Sequence, residues 1–334
     1  MKKLFNSRDT MVGDMIAGFV AAFPGQVARG VHPRLVRRAV PKDAGKVTLV
    51  IGNGCGHEPI AMGYVGEGML DGNVVGDVFS APSSDLILAG LREVSGSAGT
   101  VLLISRHEGD VINGMEAALQ AADEGLKVRP LWMYDDISSA PKGAEEDRRG
   151  AAGTLFIYKI LGAAAEEGME LDALVTLGAA VRSATRTLGA ALTPGISPLT
   201  GRAMFALPED EVFIGMGVHG EPGVGRRKVE PLRDLVGFML AALMDDRPVA
   251  AGTPVVVLIN GAGGTTMMEL LSVYGEVTAW LAARGIPALS PAIGSLSTTQ
   301  EMGGFSISLL TPDQTMLRLW RATQATPQFP VIRP

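Results

Sequence analysis

Two of the four histidines in the chain stand beside a glycine, and a Glu-Pro pair closely follows each of them. His57 lies in the segment GNGCGHEP (residues 52–59), and His219 begins the segment HGEP (residues 219–222). Neutral imidazole serves as a nucleophile and as a base near neutral pH, and glycine amides can hold hydroxyl or carbonyl oxygens without side chains in the way. Either histidine alone could be a surface residue in a tight turn. Because the pattern occurs once in each half of the chain, it favours a site for a small, polar molecule that carries a carbonyl group.

Asp110 adds a carboxylate that can accept a proton from a hydroxyl group, and the predicted elements should place it near His57. Apolar runs in the first half predict three buried strands, at residues 47–51, 100–105 and 127–133. Predicted helices alternate with these strands, which indicates a mainly parallel sheet whose carboxyl-terminal strand ends meet at one edge. His57, Asp110 and Asp135 each follow one of the strands, so we expect these three side chains to share a crevice.

Local signals predict how the chain enters and leaves this site. The glycines of residues 52–56 predict a tight turn after the first strand, and Pro59 suits the first turn of a helix. Asp110 is expected to cap a helix over residues 112–124. Further along, the sequence predicts two alanine-rich helices and a short strand, at residues 151–167, 171–188 and 203–207.

The order of the elements predicts an α/β fold with two α/β domains, each a mainly parallel or mixed sheet flanked by helices. A Pro/Gly-rich shift in composition marks the boundary between them. Residues 1–192 then carry His57 and Asp110, and residues 193–334 carry His219, with the last residues able to pack back on the first domain.

Composition and charge argue against several classes of protein. The formal net charge of −6 and the pI of about 5.4 argue against a nucleic-acid surface. No stretch is long and apolar enough to predict a signal peptide or a membrane span. The single cysteine, Cys55, excludes internal disulfide bonds and fits a reducing cytoplasm. Cys55 itself is interpreted as a small residue that fills the glycine turn.

Common nucleotide and metal motifs are absent from the sequence. The glycine spacing in residues 52–56 differs from the dinucleotide fingerprint, and no Walker-type lysine motif occurs. A second glycine loop, at residues 260–266, lacks a lysine and is either a structural turn or a phosphate cradle. No spacing of His, Cys and Asp is typical of a zinc site. The sequence therefore predicts neither a metal ion nor a nucleotide bound by this chain.

Six segments, in order across nearly the whole chain, resemble the K subunit of the dihydroxyacetone kinase family, the part that binds the sugar. They are GNGCGHEP at residues 52–59, GYVGEGM at 63–69, GD at 109–110, RRG at 148–150, GVHGEPG at 217–223 and GGFSI at 303–307. A resemblance of this length is far more specific than any one of the motifs.

The resemblance implies a covalent mode of substrate binding. His219 would attack the ketone of a short ketose such as dihydroxyacetone and form a hemiaminal. His57 and Asp110 occupy the positions that hydrogen-bond the substrate and act in acid–base transfer at the hydroxyl group to be phosphorylated. Gly54, Cys55 and Gly56 would line the same pocket.

The resemblance also implies partners. The K part carries no cofactor of its own, and ATP or ADP with Mg²⁺ would be held by a separate L-type subunit. That subunit would use ATP directly or be recharged by a phosphotransferase-system donor. A cytoplasmic homodimer is the expectation for such a subunit, with no nucleic acid and no membrane as partner.

One departure from the family pattern affects the substrate. Family members usually carry a lysine five residues before the motif aspartate, where this chain has Ser105. Arg106 or His107 could compensate, and a different ketose, such as erythrulose or a related C4 or branched ketose, is an alternative substrate. A second alternative is a non-catalytic paralogue that senses a ketose, which would not need a base at Asp110. A third, an enzyme with its own nucleotide site, is disfavoured by the absent motifs.

Overall fold

The computed structural model describes residues 2–330, and the chain there alternates strands and helices. The strands are β1 Val27–Arg29, β2 Leu35–Arg38, β3 Thr48–Cys55, β4 Gly72–Val78, β5 Thr100–Ser105, β6 Val128–Met133, β7 Thr185–Thr193, β8 Glu211–Ile214, β9 Gly225–Lys228, β10 Val255–Gly261, β11 Ala288–Gly294 and β12 Gly303–Leu310. The helices are α1 Met11–Ala22, α2 Ser84–Val94, α3 Glu108–Asp123, α4 Thr154–Glu166, α5 Leu171–Ala184, α6 Leu232–Asp246, α7 Met267–Ala282 and α8 Gln314–Trp320. Contacts divide these elements between two compact units.

The first unit contains residues 2–133, 157–181 and 318–330. Its six-stranded sheet has the order β1-β2-β4-β3-β5-β6, in which β3 runs parallel to β4 and β5, and β5 runs parallel to β6. Val50 and Leu102 of the central strands pack against Ile87 and Leu91 of α2 and Ala117 of α3. Burial of one such aliphatic side chain stabilises the fold by about 1.5–3 kcal/mol. This core holds the carboxyl ends of β3 and β5 side by side.

The second unit contains residues 134–156 and 182–317. Its six-stranded sheet has the order β11-β10-β12-β7-β8-β9. Only the pair of β10 and β11 is parallel within the described sheet, and the other pairs are antiparallel. Helices α6 and α7 cover it, with Met239, Leu240, Val273 and Val277 in the shared core.

The predicted α/β class, with two mixed sheets flanked by helices, is confirmed. The domain boundary predicted between residues 192 and 193 falls at the carboxyl end of strand β7. The contacts divide the chain near residues 133, 156, 181 and 317. Among the helices in residues 2–330, none combines the length and the apolar character that a membrane crossing requires.

Two local predictions in the middle of the chain were wrong. The helix predicted over residues 171–188 ends at Ala184, and β7 begins at Thr185. Strand β7 is paired with β12 along its length, so tertiary pairing outweighs the helix propensity of its alanines. Residues 203–207 form no strand and contribute one isolated bridge, between Ile196 and Ala203.

Candidate functional site

Gly52 and Gly54 lie within strand β3, which continues to Cys55, so the tight turn predicted at residues 52–56 was wrong for all but Gly56. A Cβ on Gly54 would lie 2.7 Å from the backbone nitrogen of Ser80. Gly56 has φ +101°, and a Cβ there would lie 2.6 Å from the ring of Phe79. Glycine is therefore required because the loop that follows β4 packs directly against the end of β3.

His57 follows at once and is 7% exposed. Its ring centroid lies 5.0 Å from that of Phe79. The carboxylate of Glu58 accepts the backbone N–H of Gly56 at 3.0 Å. Burial raises the pKa of Glu58, against the lowering effect of that hydrogen bond. The helix that Pro59 was expected to open is absent, and only a short 3₁₀ turn forms, over Met62–Tyr64.

Asp110 lies in the first turn of α3 and is 8% exposed. The prediction that Asp110 is the N-cap of this helix was wrong, because α3 begins at Glu108 and His107 takes the N-cap position. The Oγ of Ser105 and Nδ1 of His107 are 3.1 Å apart, and the same Nδ1 lies 3.9 Å from Oδ2 of Asp110. Ser105, His107 and Asp110 therefore form one polar cluster at the carboxyl end of β5.

The loop after β4 connects the His57 segment with this cluster. Ser80 lies against Gly54, as described above, and a Cβ on Gly109 would lie 3.3 Å from Cβ of Ala81. Asn113 of α3 donates to the carbonyl of Pro82 at 2.8 Å. Strands β3 and β5 are parallel neighbours. The structure thus places His57 and Asp110 at the same edge of the first sheet, where open α/β sheets bind ligands.

Cys55 is buried between these elements, at 4% exposure. Burial raises the pKa of its thiol to about 12. The thiol stays protonated at neutral pH, so Cys55 has neither the charge nor the exposure of a nucleophilic cysteine.

Asp135, which was expected to share a crevice with His57 and Asp110, belongs to the second unit. Its carboxylate is 2% exposed and accepts the N–H groups of Ala151 at 2.6 Å and Gly153 at 2.9 Å. Burial raises its pKa to about 6. The carboxylate organises the start of α4.

His219 lies in a glycine loop that leaves strand β8 in the second unit. Gly215 has φ +75° and Gly220 has φ +88°, and the loop returns to the strand where the N–H of Val224 donates to the carbonyl of Ile214 at 3.0 Å. The N–H of Gly217 donates to the carbonyl of Glu221 at 2.9 Å. These bonds close a compact turn around His219.

The carboxylate of Glu221 binds both the backbone and the side chain of His219. Oε2 accepts the backbone N–H at 2.8 Å, and Oε1 lies 2.8 Å from Nδ1 of the ring. Burial alone would raise the pKa of Glu221, but the hydrogen bonds and charge of His219 hold that pKa well below its usual range. An ionised carboxylate only accepts, so Nδ1 of His219 is the donor in this contact. The contact therefore holds the His219 ring in one orientation.

Arg149 holds the loop around His219 through hydrogen bonds to both of its ends. Its Nη2 donates to Oδ2 of Asp136 at 2.8 Å and to the carbonyl of Gly215 at 3.2 Å, and its Nη1 donates to the carbonyl of Pro222 at 3.4 Å. The backbone N–H of Ser138 donates to the same Asp136 carboxylate at 2.9 Å, and the hydroxyl oxygen of Ser138 lies 3.2 Å from the same Gly215 carbonyl oxygen. Sequence reasoning assigned no role to Arg149 or Asp136, although the RRG segment at residues 148–150 was one of the family motifs.

Comparison with known proteins identifies the family of this chain. The family model described as the Dak1 domain matches residues 17–328. The chain belongs to the Dak1 family. A D-erythrulose kinase from Mycolicibacterium smegmatis is 38% identical over 329 residues, which is 98% of this chain and 56% of that protein. This Dak1 chain therefore spans little more than half the length of that relative.

A relative of similar length is the dihydroxyacetone-binding subunit DhaK of the PTS-dependent dihydroxyacetone kinase 1 of Listeria innocua. It is 39% identical over 310 residues, covering 93% of this chain and 94% of that subunit. Among solved structures, the dihydroxyacetone kinase operon co-activator Dha-DhaQ superposes with a TM-score of 0.91 at 31% identity, over 96% of this chain and 99% of that one. The predicted kinase family and fold are confirmed, and the individual residue roles stay predictions.

Proposed function

We propose that this chain is the substrate-binding and catalytic subunit of a dihydroxyacetone-type kinase in the cytoplasm. It binds a short hydroxyketone covalently through His219 and presents a terminal hydroxyl group for phosphorylation. Membership of a family that includes kinases and a dihydroxyacetone-binding subunit supports the proposal. The observation that carries it is the 2.8 Å contact between Nδ1 of His219 and the carboxylate of Glu221.

The covalent step is an addition to the ketone carbonyl. The lone pair on Nε2 of His219 forms a bond to the carbonyl carbon, the C=O π bond breaks, and the oxygen takes up a proton to become a hydroxyl group. The ring gains positive charge in this step, which Glu221 stabilises, and loss of the Nδ1 proton leaves a neutral hemiaminal. Reversal of these steps releases the ketose. A polyol without a carbonyl group cannot form the bond, so the step selects ketoses against glycerol.

His57 and Asp110 act on the hydroxyl group that receives the phosphoryl group. His57 hydrogen-bonds the substrate, and Asp110 accepts the hydroxyl proton as the general base. Gly54, Cys55 and Gly56 line the substrate with backbone, and Ser105 contributes its hydroxyl group. Their common position at one edge of the first sheet supports this assignment.

The phosphoryl donor belongs to a partner. We assign ATP or ADP and Mg²⁺ to an L-type subunit, because this sequence has no nucleotide motif. That subunit uses ATP directly or is recharged by a phosphotransferase system, since one relative is named a PTS-dependent subunit. Phosphoryl transfer depends mostly on positioning and charge stabilisation, so a covalently fixed acceptor suits it.

Mass spectrometry of the intact chain under non-denaturing conditions tests the proposal. Incubation with dihydroxyacetone or erythrulose should add the mass of one ketose, and glycerol should add nothing. His219→Ala should abolish the addition, and His32→Ala should retain it as the matched control. The proposal fails if no short ketose is retained, or if His219→Ala behaves like the parent chain.

A ketose-sensing subunit is the second candidate. The co-activator with a TM-score of 0.91 to this chain favours it. Asp110, buried in the first turn of α3, favours catalysis instead, because a sensor needs no base at that position. Ketose binding without phosphorylation, whatever L-type partner is supplied, would identify the chain as a sensor.

A further inference from the structure

A cavity of about 230 Å³ lies at the edge of the first sheet that is opposite to His57. The end of β2, the starts of β3 and β4 and the end of α2 surround it. Thr48, the first residue of β3, lines the cavity, whereas Cys55, the last residue of β3, lies beside the His57 loop. Seven steps of about 3.3 Å along the strand place these two residues about 23 Å apart. The cavity is therefore separate from the candidate functional site.

A buried ion-pair network forms one wall of this cavity. Nη1 of Arg38 donates to Oδ1 of Asp71 at 2.9 Å and also to Glu166. Nζ of Lys42 and the N–H of Leu49 both donate to Oδ2 of Asp71, each at 2.8 Å. Burial would raise the pKa of Glu166, but the charges of Lys42 and Arg38 lower it on balance. The acids of this wall are therefore ionised and paired.

Glu93 belongs to another wall and is also paired. Nε of Arg37 donates to Oε1 of Glu93 at 2.9 Å, and the N–H of Val31 donates to Oε2 at 2.8 Å. All four carboxylate oxygens of Asp71 and Glu93 thus already accept a hydrogen bond. A cationic ligand would have to compete with these bonds.

The two arginines of the cavity, in contrast, retain unused donors. Nη2 of Arg37, and both Nη2 and Nε of Arg38, donate to no residue within the described range 2–330. Charge-assisted hydrogen bonds from such groups to an oxyanion are about twice as strong as neutral ones. Lys46, whose Nζ donates to the carbonyl of Glu166 at 2.7 Å, adds a further positive charge to the network. The cavity therefore favours an anion with several acceptor oxygens.

We infer that this cavity binds the phosphate monoester of a small polyol, with the phosphate group between Arg37 and Arg38. The terminal oxygens of a phosphate can accept from both guanidinium groups at once, and the planar fork of arginine matches their geometry. Pockets for drug-sized ligands have volumes of about 300–1,000 Å³. A cavity of about 230 Å³ is smaller than these, so it fits a three-carbon ester and not a nucleotide.

The remaining walls suit the polyol part of such a ligand. Pro41 and Val94 line the cavity and give its carbon skeleton an apolar surface. Oγ1 of Thr48 lies 2.7 Å from Oγ1 of Thr100, which itself donates to Oγ of Ser95 at 2.7 Å. A hydroxyl group has one proton, so Thr48 is the donor to Thr100. The oxygen of Thr48 therefore remains able to accept a hydrogen bond from a hydroxyl group of the ligand.

Isothermal titration calorimetry with glycerol phosphate at constant ionic strength tests this site. One molecule should bind per chain, inorganic phosphate should compete with it, and glycerol should not. Glycerol phosphate has no carbonyl group and cannot form the proposed adduct, so His219→Ala should bind it as the parent chain does. Binding that is lost in His219→Ala would place the ligand at the candidate functional site and overturn the inference.

Arg37→Gln tests the location of the phosphate group. It should weaken binding by roughly 10- to 100-fold, the effect of losing a charged donor. Arg34→Gln is the matched control and should bind like the parent chain. The two side chains are similarly exposed, 30% for Arg37 and 28% for Arg34, and Arg34 pairs with Asp77 outside the cavity.

Arg37→Lys decides the question if the melting temperature shows that Arg37→Gln does not fold. It keeps the positive charge beside Glu93 but loses the fork, so its affinity should lie between those of the parent chain and a chain without the charge. The inference is overturned if the parent chain binds no glycerol phosphate, or if the Arg37 variants bind it as tightly as Arg34→Gln does. Tighter binding of glycerate, the corresponding carboxylate, would also overturn it.

Discussion

The two histidine loops use nearly the same residues and differ in the order of two of them. The first reads Gly56-His57-Glu58-Pro59, and the second reads His219-Gly220-Glu221-Pro222. In both loops the glutamate carboxylate accepts the N–H of the residue two positions earlier, Gly56 in the first and His219 in the second. The local hydrogen-bonded ring is the same, and the position of the histidine within it is different.

This difference places His219 at the position that its own glutamate binds. In the second loop His219 occupies the position whose N–H the carboxylate accepts, so the carboxylate also reaches the ring at 2.8 Å. In the first loop that position is a glycine, and the ring of His57 packs on Phe79. Accordingly, the pKa of Glu221 is lowered by its histidine, whereas burial raises the pKa of Glu58. A change of order by one residue thus changes which backbone N–H the glutamate accepts, that of a glycine in the first loop and that of the histidine in the second.

The largest effect is expected from exchanging the order in the second loop, with His219→Gly and Gly220→His combined. Glu221 should still accept the N–H at position 219, but the imidazole would lie at the position with φ +88° and lose the carboxylate. The ketose adduct should disappear and phosphorylation should fall by roughly 10³-fold or more, as for loss of a nucleophile. Native mass spectrometry and a coupled assay with an L-type partner would measure this.

Gly220→Ala is the control for strain in that experiment, since it places a side chain at the same positive φ and keeps His219. If the exchanged variant still forms the adduct, the order of the two residues does not determine the nucleophile.

Asp110→Asn should separate the two histidine loops by function. A hemiaminal on His219 would need no base at the hydroxyl group, so the adduct should persist. Phosphorylation should fall by roughly 10²–10⁴-fold, the usual contribution of a general base. Loss of the adduct together with the activity would show that Asp110 supports binding rather than proton transfer.

Glu221→Gln should slow adduct formation by roughly 10- to 100-fold, the effect of losing a carboxylate that orients a histidine. The neutral amide no longer stabilises positive charge on the ring. His219 would keep a hydrogen-bonding neighbour, so the KM for ketose should change less than kcat. A loss equal to that of His219→Ala would mean that Glu221 maintains the loop rather than the reactivity of the ring.

The same substitution should change the acid stability of the chain. A carboxylate whose pKa is lowered on folding contributes stability above its unfolded pKa, about 4.3, and this contribution is lost as the pH falls through the lowered value. The melting temperature of the parent chain should therefore fall on acidification below about pH 4. Glu221→Gln should show a smaller fall, because one of the responsible carboxylates is gone, and an identical pH profile would contradict the assignment.

Much of the fold followed from the sequence because its signals are local. Apolar runs bounded by polar residues predicted β5 at residues 100–105. The extension of β3 to Cys55 did not follow, because glycine is a poor strand former. Only the neighbouring loop, which packs against Gly54, explains why glycine occurs there. Strand β7 was missed because its pairing with β12 joins residues more than a hundred positions apart.

The sequence singles out the candidate residues but reveals only part of the contacts that hold them. His57, Asp110 and His219 were singled out by their position after strands, which is a local signal. The support that Arg149 gives through Asp136 and Gly215 spans 66 positions between Arg149 and Gly215, and no spacing rule detects it. The pairing of Glu221 with His219 was within reach, because the two residues are separated only by a glycine that permits a positive φ.

The smallest effect is expected from Gly56→Ala, which tests the first loop through stability. The new Cβ would have φ +101° and would lie 2.6 Å from the ring of Phe79, the residue on which His57 packs. The cost in the free energy of unfolding should be about 1–3 kcal/mol. Gly201→Ala separates its two causes, because Gly201 has φ +69° and nothing within 4 Å of a Cβ, so it reports the backbone strain alone. Chemical denaturation should show Gly56→Ala as the more destabilised variant, because the ring of Phe79 must also move. Equal losses would mean that the ring of Phe79 moves away from the new Cβ without a measurable loss of stability. The packing around His57 would then be less rigid than the His219 loop.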